Sequence, residues 1–397
     1  MANINDYLDW RGDIPFSVDP FNEVDNLVLS ALVYSHFGGL VPGPECKHSI
    51  SMQKLHEQFF KKHKDEEFEN ASESAYIAPL LLHKLVTSPR FHDVKMTGYL
   101  SHTDEETQVQ FACMTFLLPD GTNYVAFRGT DHTLVGWKED FNMSFLYRTP
   151  GQAMAADYLN KNFKFTRRKL RLGGHSKGGN LAVYAGAFCN STIQKKIIGI
   201  YSNDGPGFRE EIVSEKSYQK ILPIIHSIVP NQTIVSMLFE SPFEPKVICS
   251  SADGLAQHNV FSWQIERNHF IEATGGLSDK SKMFQKTFQG WISELDMEKR
   301  QIFVDELFGL LASKQREGVL TIDDLLTNPT QTITILSKNI GEVKDEHQEL
   351  FKEVLYKLVI SGKDTMKDSF FDTVSKNGTR LLKNARGGKK RNDKKKK

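Results

Sequence analysis

The sequence predicts an α/β fold, in which a mainly parallel sheet is flanked by helices. Three observations support this prediction. Apolar, β-rich runs alternate with helical segments between residues 91 and 278, and a glycine-rich turn joins one of these runs to a helix. The third is the apolar spacing typical of helices, which occurs in residues 1–90 and again in residues 279–385. We expect residues 1–90 to form a helical lead-in that packs on the core. Residues 386–397 form a basic tail that we expect to be disordered.

The elements are predicted in order along the chain. Before residue 91, apolar residues at helical spacing predict three helices, in NEVDNLVLSALVYSHF, SMQKLHEQFFKKHKDEEF and SAYIAPLLLHKLV. A β-hairpin follows, because the turn sequence PDGTN separates the apolar runs VQFACMTFLL and NYVAFRGT. A helix at GQAMAADYLNKNF precedes a strand, turn and helix in KLRLGGHSKGGNLAVYAG.

Three further strand candidates complete the predicted sheet. They lie in KKIIGIYSNDGPGF, ILPIIHSIVP and PKVICSSA, and they predict parallel strands after an antiparallel start. The chain then becomes helical, with candidate helices in WISELDMEKRQIFVDELFGLLASK, TIDDLLTNPTQTITILSKNI and DEHQELFKEVLYKLVISGK.

Composition and charge exclude several classes of protein. The 397 residues are 39% hydrophobic and 25% charged, which is ordinary for a globular protein. The four cysteines are scattered, without a C-x-x-C pair or a histidine at metal-ligand spacing, so we expect reduced thiols. We also expect the protein to require neither a metal nor an organic cofactor. The sequence begins without the pattern of a secretory signal, and no apolar run approaches the ~20 residues of a membrane span, which favours a cytoplasmic protein. The basic tail suggests peripheral contact with an anionic membrane, whereas nothing indicates nucleic-acid binding.

The glycine-rich turn GHSKG, residues 174–178, contains the pattern G-x-S-x-G with Ser176 at its centre. Between a strand and a helix this pattern is typical of a nucleophilic serine, because the tight turn exposes the hydroxyl group. The main-chain N–H of Lys177 would then face the oxyanion that forms during acyl transfer. A plain glycine-rich turn and a phosphate-binding turn are the alternatives, and the doubled glycine after Lys177 favours the nucleophile.

A second motif, FRGT at the end of a predicted strand, is followed by Trp137 and Asp140. Together with GGHSKGG it resembles the oxyanion segment and nucleophile turn of class 3 lipases, and the order of the motifs agrees with an α/β-hydrolase. The resemblance implies that the N–H, and often the hydroxyl, of Thr130 contributes to an oxyanion hole. It also implies that Arg128 and Asp140 brace this loop, and we expect them to form a structural ion pair.

The chain resembles the Mbeg-like family of uncharacterised bacterial proteins more closely than it resembles class 3 lipases. The Mbeg-like family is related to those lipases. The matching pieces are FNEVDNLVLSALVYSHF, FRGTD, GHSKGGNLA, YSNDGPGF, IVPNQTIVSMLFE and QHNVFSWQI, which lie within the first 270 residues. The resemblance implies a hydrolase activity and leaves the substrate open.

The general base of such a site is a histidine on a loop after the last strand, and His258 fits that place. His226 lies in an apolar run and is expected to be a core residue, and His269 comes later in the chain. We expect His132 to be a lid or pocket residue, and His175 to pack under the turn.

The acid departs from the pattern of class 3 lipases, in which an aspartate directly precedes a Val-Pro pair after the following strand. Here HSIVP has Ser227 and Ile228 at that place. Asp204 is the replacement that we predict, because it follows a strand at the sheet edge where active-site groups collect. A simple turn residue is the alternative for Asp204, and Glu240 and Asp253 remain as other candidate acids.

The predicted function is therefore that of a lipase-like or esterase-like serine hydrolase, in which Ser176, His258 and Asp204 cleave an acyl ester or lipid. Two alternatives stay open. The chain could be an inactive α/β-hydrolase-fold protein that serves as a binding or scaffold protein, or it could be a thioesterase or peptidase. The segment FNMSFLYRTPGQAM, residues 141–154, is a candidate lid whose aromatic and apolar side chains would favour an apolar acyl chain.

Overall fold

The computed structural model describes residues 2–69, 77–131, 133–319 and 329–361. It divides into two units, Met1–Lys286 and Thr287–Lys397. The predicted basic tail lies outside the described residues, as does part of the second predicted C-terminal helix.

The first unit contains an eight-stranded sheet in which each strand neighbours the next one along the chain. The first four strands are antiparallel, and the following ones run parallel to β4, which confirms the predicted mainly parallel sheet with an antiparallel start. The strands are β1 (Ile50–Ser51), β2 (Lys95–Asp104), β3 (Val109–Leu117), β4 (Asn123–Phe127), β5 (Leu170–His175), β6 (Ile197–Asn203), β7 (Ile225–Pro230) and β8 (Lys246–Ile248). A separate antiparallel pair consists of β9 (Ile265–Glu266) and β10 (His269–Phe270).

The helices lie before the sheet, between its strands and after it. They are α1 (Ile4–Arg11), α2 (Glu23–Leu32), α3 (Met52–Phe60), α4 (Glu66–Glu69), α5 (Leu81–Thr87), α6 (Leu134–Asn142), α7 (Pro150–Asn162), α8 (Lys177–Phe188), α9 (Ser191–Gln194), α10 (Glu210–Val213), α11 (Lys216–Gln219), α12 (Asp279–Glu294), α13 (Met297–Arg316), α14 (Pro329–Lys338) and α15 (Gln348–Ser361). The first predicted C-terminal helix is interrupted, because α12 ends at Glu294 and the side chain of Asp296 caps α13 by accepting the Lys299 N–H.

Both faces of the sheet are covered by apolar layers. On β3 the side chains of Phe111 and Cys113 face one layer, whereas Met114 and Phe116 face the other, as the alternation of a strand requires. Helices α1, α2, α3 and α5 contribute to the layer that contains Met114 and Phe116, and α7 and α8 to the layer that contains Phe111 and Cys113. A strand buried on both faces reads as an unbroken apolar run, which is why the sequence predicted β3 readily.

A buried ion pair joins distant segments of the N-terminal lead-in. Arg90 donates two hydrogen bonds to the carboxylate of Asp25 on α2, at 2.5 and 2.7 Å, and both side chains are fully buried. Tyr7 adds a third donor at 2.8 Å, and the remaining guanidinium N–H groups bond the carbonyl oxygens of Ile14, Asp19 and Pro20. Because every guanidinium donor has an acceptor, hydrogen bonds compensate for the burial of this charge.

The strand register sets the position of the site. Phe127 is paired with Gly174, and His175 with Asn203, so the carboxyl ends of β4, β5 and β6 lie side by side. The motif FRGT begins at the last residue of β4, and Ser176 and Asp204 directly follow β5 and β6.

The second unit contains α13, α14 and α15. The buried side chains of Phe303, Leu307 and Leu311 on α13 and of Phe351 and Val354 on α15 form its apolar interior. Among the described residues, no helix is both long and apolar enough to cross a membrane.

Candidate active site

Ser176 occupies a strained turn between β5 and α8. Its backbone angles are φ +58° and ψ −132°, a region that residues other than glycine rarely adopt. The Ser176 N–H donates to the carbonyl of Asn203 on the neighbouring strand at 2.9 Å, which holds the turn at the sheet edge. A Cβ atom at Gly178 would lie 2.1 Å from the Phe127 carbonyl oxygen, so α8 begins directly against the end of β4.

His258 and Asp204 form a hydrogen-bonded pair at the same edge. The Nδ1 of His258 lies 2.6 Å from Oδ2 of Asp204, whose other oxygen accepts a hydrogen bond from Thr233 at 2.5 Å. Because an ionised carboxylate only accepts, Nδ1 carries the proton and Nε2 of His258 is left as a proton acceptor. Asp204 is 1% exposed, whereas the His258 side chain is 28% exposed, so the pair has a shielded acid and an accessible imidazole.

The buried His175 connects this pair to the lead-in. Its Nε2 donates to the main-chain carbonyl of His258 at 2.8 Å, and its Nδ1 accepts the hydroxyl of Tyr34 at 3.0 Å. The rings of His175 and His258 lie 4.4 Å apart. Burial lowers the pKa of His175 well below its usual value, so its ring stays neutral near neutral pH. The position of the residue under the turn agrees with the prediction.

The loop after β4 lies against the serine turn. A Cβ atom at Gly129 would lie 3.1 Å from the Cβ of Ser176 and 2.6 Å from the His175 carbonyl oxygen. The next residue, Thr130, is half-buried and donates its hydroxyl hydrogen to Oδ2 of Asp140. With that hydrogen used, the main-chain N–H remains the group of Thr130 that could donate to an oxyanion.

The predicted ion pair between Arg128 and Asp140 is wrong. Asp140 accepts the hydroxyl of Thr130, and the guanidinium of Arg128 lies 3.6 Å from the carboxylate of Asp131 instead. Asp140 is braced through a neutral hydroxyl, and burial raises its pKa to about 6.

Lys177 contributes a buried side chain that the sequence analysis missed. Its Nζ lies 2.6 Å from the side-chain oxygen of Gln110, 2.8 Å from the Gln110 carbonyl and 3.0 Å from the Glu139 carboxylate. Glu139 also accepts the N–H of Gly151 at 2.6 Å. The ion pair therefore ties α6, which follows the Thr130 loop, to the first residue of α8. A lysine inside a run of small and apolar residues is the signal that could have indicated it.

The other candidate acids and bases have different surroundings. His226 is exposed and stacks on Tyr201 with the rings 4.7 Å apart, so the expectation of a core residue is wrong. His269 is exposed on β10, and Glu240 and Asp253 are exposed as well. His132 lies outside the described residues. In the described part of the chain, no cluster of three or more His, Cys, Asp or Glu residues has an arrangement that could hold a metal ion.

The candidate lid, residues 141–154, includes the end of α6 and the start of α7. It lines a shallow pocket together with Phe208, Arg209 and Ile212 and with Asn180, which lies one turn along α8 from Ser176. Within the segment, Met143 and Leu146 face this pocket, and Tyr147 is half-exposed at its rim. The lining residues include apolar side chains and the polar side chains of Asn180 and Arg209.

The chain matches one family model and is similar to solved structures of lipases. A family model described as Mbeg1-like matches residues 85–309, more than half of the chain. The M37 lipase structure is similar at a TM-score of 0.34 and 14% identity over 53% of this chain and 68% of that one. A native lipase–propeptide complex from Rhizomucor miehei gives a TM-score of 0.29 and 14% identity over 52% and 71% of the two chains. No curated protein matches the sequence.

Proposed function

The chain belongs to the Mbeg1-like family, and we propose that it is a serine hydrolase of the lipase or esterase type. In this proposal Ser176 is the nucleophile, His258 the general base and Asp204 the acid that orients it. One observation carries the assignment: the hydrogen-bonded pair of Asp204 and His258 lies at the sheet edge where the strained turn presents Ser176.

The first half of the reaction is acylation. Nε2 of His258 removes the hydroxyl proton of Ser176 as the oxygen attacks the ester carbonyl, and Asp204 stabilises the resulting imidazolium. The carbonyl oxygen becomes an oxyanion, which accepts hydrogen bonds from the main-chain N–H groups of Thr130 and Lys177. Collapse of this intermediate breaks the ester C–O bond, and His258 returns the proton to the departing alcohol.

The second half is hydrolysis of the acyl-enzyme. His258 removes a proton from water, the hydroxide oxygen attacks the acyl carbon, and a second oxyanion forms in the same hole. Its collapse releases a carboxylic acid and restores the hydroxyl of Ser176 with the proton held by His258. We further propose that the candidate lid, through side chains such as Met143 and Leu146, favours an apolar acyl chain.

Labelling with a fluorophosphonate tests the proposal, because this reagent reacts with an activated serine whatever the natural substrate is. We expect the wild type to be labelled and Ser176→Ala to be unlabelled. His258→Ala and Asp204→Asn are expected to be labelled at least about a thousandfold more slowly than the wild type. His226→Ala and Asp253→Asn are matched controls, because they remove the same groups from exposed positions.

The outcome separates the proposed enzyme from the alternatives. Labelling that persists in Ser176→Ala would contradict the assignment of the nucleophile. A folded wild type that reacts with neither the reagent nor aryl esters of short and long acyl chains would contradict the activity and favour a binding protein. A greater rate with thioesters than with oxygen esters would identify a thioesterase on the same triad.

A further inference from the structure

A basic turn, residues 161–169 with the sequence KNFKFTRRK, connects α7 to β5. It contains five Lys or Arg residues and no Asp or Glu. At its tip Phe165 is 86% exposed, the largest exposure among the exposed large hydrophobic residues of the described chain. The ammonium group of Lys164 lies over the Phe165 ring, 5.2 Å from its centre. An aromatic ring is thus held in solvent within a cluster of positive charge.

The fold holds the turn in this position. Phe163, two residues before the tip, is 5% exposed in the apolar layer beside α8 and anchors the turn from below. The carbonyl of Phe163 accepts the N–H of Thr166 at 3.2 Å, and Nζ of Lys196 donates to the carbonyl of Thr166 at 2.7 Å. Lys195, beside Lys196, is exposed. The loop before β6 therefore adds two more cations to the surface.

We propose that the basic turn docks on the surface of an anionic lipid bilayer. Aromatic rings bind at the level of the lipid headgroups, and surrounding Lys and Arg residues are attracted by anionic headgroups. Phe165 would insert its ring, while Lys164, Arg167 and Lys169, all exposed, would contact the phosphates and carboxylates of the headgroups. The match between a positive surface and a negative partner supports this occupant.

The docked surface and the proposed active site lie at opposite ends of the parallel strands. The basic turn precedes Leu170 at the start of β5, whereas Ser176 follows its end, so about 20 Å of strand separates them. Docking through Phe165 therefore leaves the Ser176 edge free. The proposal does not depend on the proposed function, and a variant of the basic turn is expected to keep its fluorophosphonate reactivity.

Cosedimentation of the full-length protein with vesicles tests the proposal. We expect binding to vesicles of phosphatidylcholine with phosphatidylserine, and little binding to phosphatidylcholine alone. Phe165→Ala is expected to weaken binding about tenfold. The triple variant Lys164→Glu, Arg167→Glu, Lys169→Glu is expected to weaken it at least a hundredfold, and added salt to weaken wild-type binding as well.

Two control variants keep the test specific. Lys47→Glu, Lys61→Glu, Lys62→Glu makes the same charge change at exposed lysines of the lead-in, and Val18→Ala shortens another exposed apolar side chain. Both are expected to bind vesicles within about threefold of wild type. Equal loss in the two triple variants, or no loss in Phe165→Ala, would overturn the proposal. Tight binding of duplex DNA that Phe165→Ala leaves unchanged, without vesicle binding, would also overturn it and identify a nucleic-acid surface.

Discussion

The imidazole of His175 holds the main chain of His258, because its Nε2 donates to the His258 carbonyl oxygen at 2.8 Å. Its other nitrogen accepts the hydroxyl of Tyr34 at 3.0 Å, just after α2 of the lead-in. The residue before the proposed nucleophile is thereby connected to the proposed base and to the N-terminal helices. Burial keeps His175 neutral, so it positions His258 without competing for the proton.

Replacing His175 by phenylalanine tests this connection. The ring remains, but both hydrogen bonds are lost and the His258 carbonyl is left without its donor. We expect the rate of fluorophosphonate labelling to fall about tenfold, while the pH at which labelling is half-maximal stays the same as in the wild type. Tyr34→Phe removes only the hydroxyl and is expected to reduce the rate less. If His175→Phe folds and reacts at the wild-type rate, His175 has only a packing role.

The elements of the sheet could be predicted because they depend on local patterns. The strand, turn and helix around Ser176 are specified by glycines and an apolar run within 20 residues of sequence. Strand β2 was missed, because its residues after Leu100 are polar and largely exposed at the hairpin end, and β1 is only two residues long. The exposure of His226 was missed because apolar neighbours in the sequence do not show which face of a strand is exposed to solvent.

Contacts between distant segments were harder to predict. The pairing of Asp204 with His258 was proposed from the end of one strand and the loop after another, and the added donor Thr233 comes from a third segment. Asp140 was paired with Arg128 because both match the lipase-like loop and their charges are opposite. The partner of Asp140 is instead the hydroxyl of Thr130. This pairing depends on how α6 packs, which the pattern of charges in the sequence does not reveal.

A Gly129→Ala variant is expected to damage the proposed oxyanion hole. The new methyl group would lie 2.0 Å from the hydroxyl of Tyr34 and 2.6 Å from the His175 carbonyl, so the loop must move away from the turn. Displacing the N–H of Thr130 is expected to slow labelling at least a hundredfold. Gly38→Ala is the control, because its Cβ would approach no atom closer than 4.0 Å. Unchanged labelling of Gly129→Ala would show that the loop does not contribute to the reaction.

The buried pair of Lys177 and Glu139 is expected to be strongly coupled. Both side chains are fully buried, so Glu139→Gln leaves an uncompensated ammonium group and is expected to lower the free energy of unfolding by about 3–5 kcal/mol. Adding Lys177→Met removes that charge and should recover part of the loss. Urea unfolding of the single and double variants measures the coupling. The same cycle on the surface pair Lys352 and Glu349 is expected to give under about 1 kcal/mol, and equal values would contradict the prediction.

The raised pKa of Asp140 predicts a pH dependence of stability. The native carboxyl binds its proton more tightly than the unfolded one, with a pKa of about 6 against an ordinary 3.8. Its contribution is therefore fully present below the ordinary value and is lost as pH rises through about 6. Asparagine does not titrate, so Asp140→Asn does not lose this contribution as the pH rises. The free energy of unfolding of Asp140→Asn minus that of the wild type should therefore increase between about pH 4 and 6.5. Asp253→Asn, at an exposed position, is the control, and a constant difference for Asp140→Asn would contradict the assignment.

The strain at Ser176 predicts an inverted order of stability between two inactive variants. Alanine keeps a Cβ atom at φ +58°, whereas glycine adopts this conformation without strain. Ser176→Gly is therefore expected to have a free energy of unfolding about 1 kcal/mol higher than Ser176→Ala, after allowing for the greater freedom of glycine in the unfolded chain. At Gln53, an exposed position of α3, the order should be the usual one, with alanine the more stable. Thermal unfolding of the four variants measures both differences. The usual order at both positions would show that the turn relaxes once the hydroxyl is removed, and that the strain belongs to the serine itself.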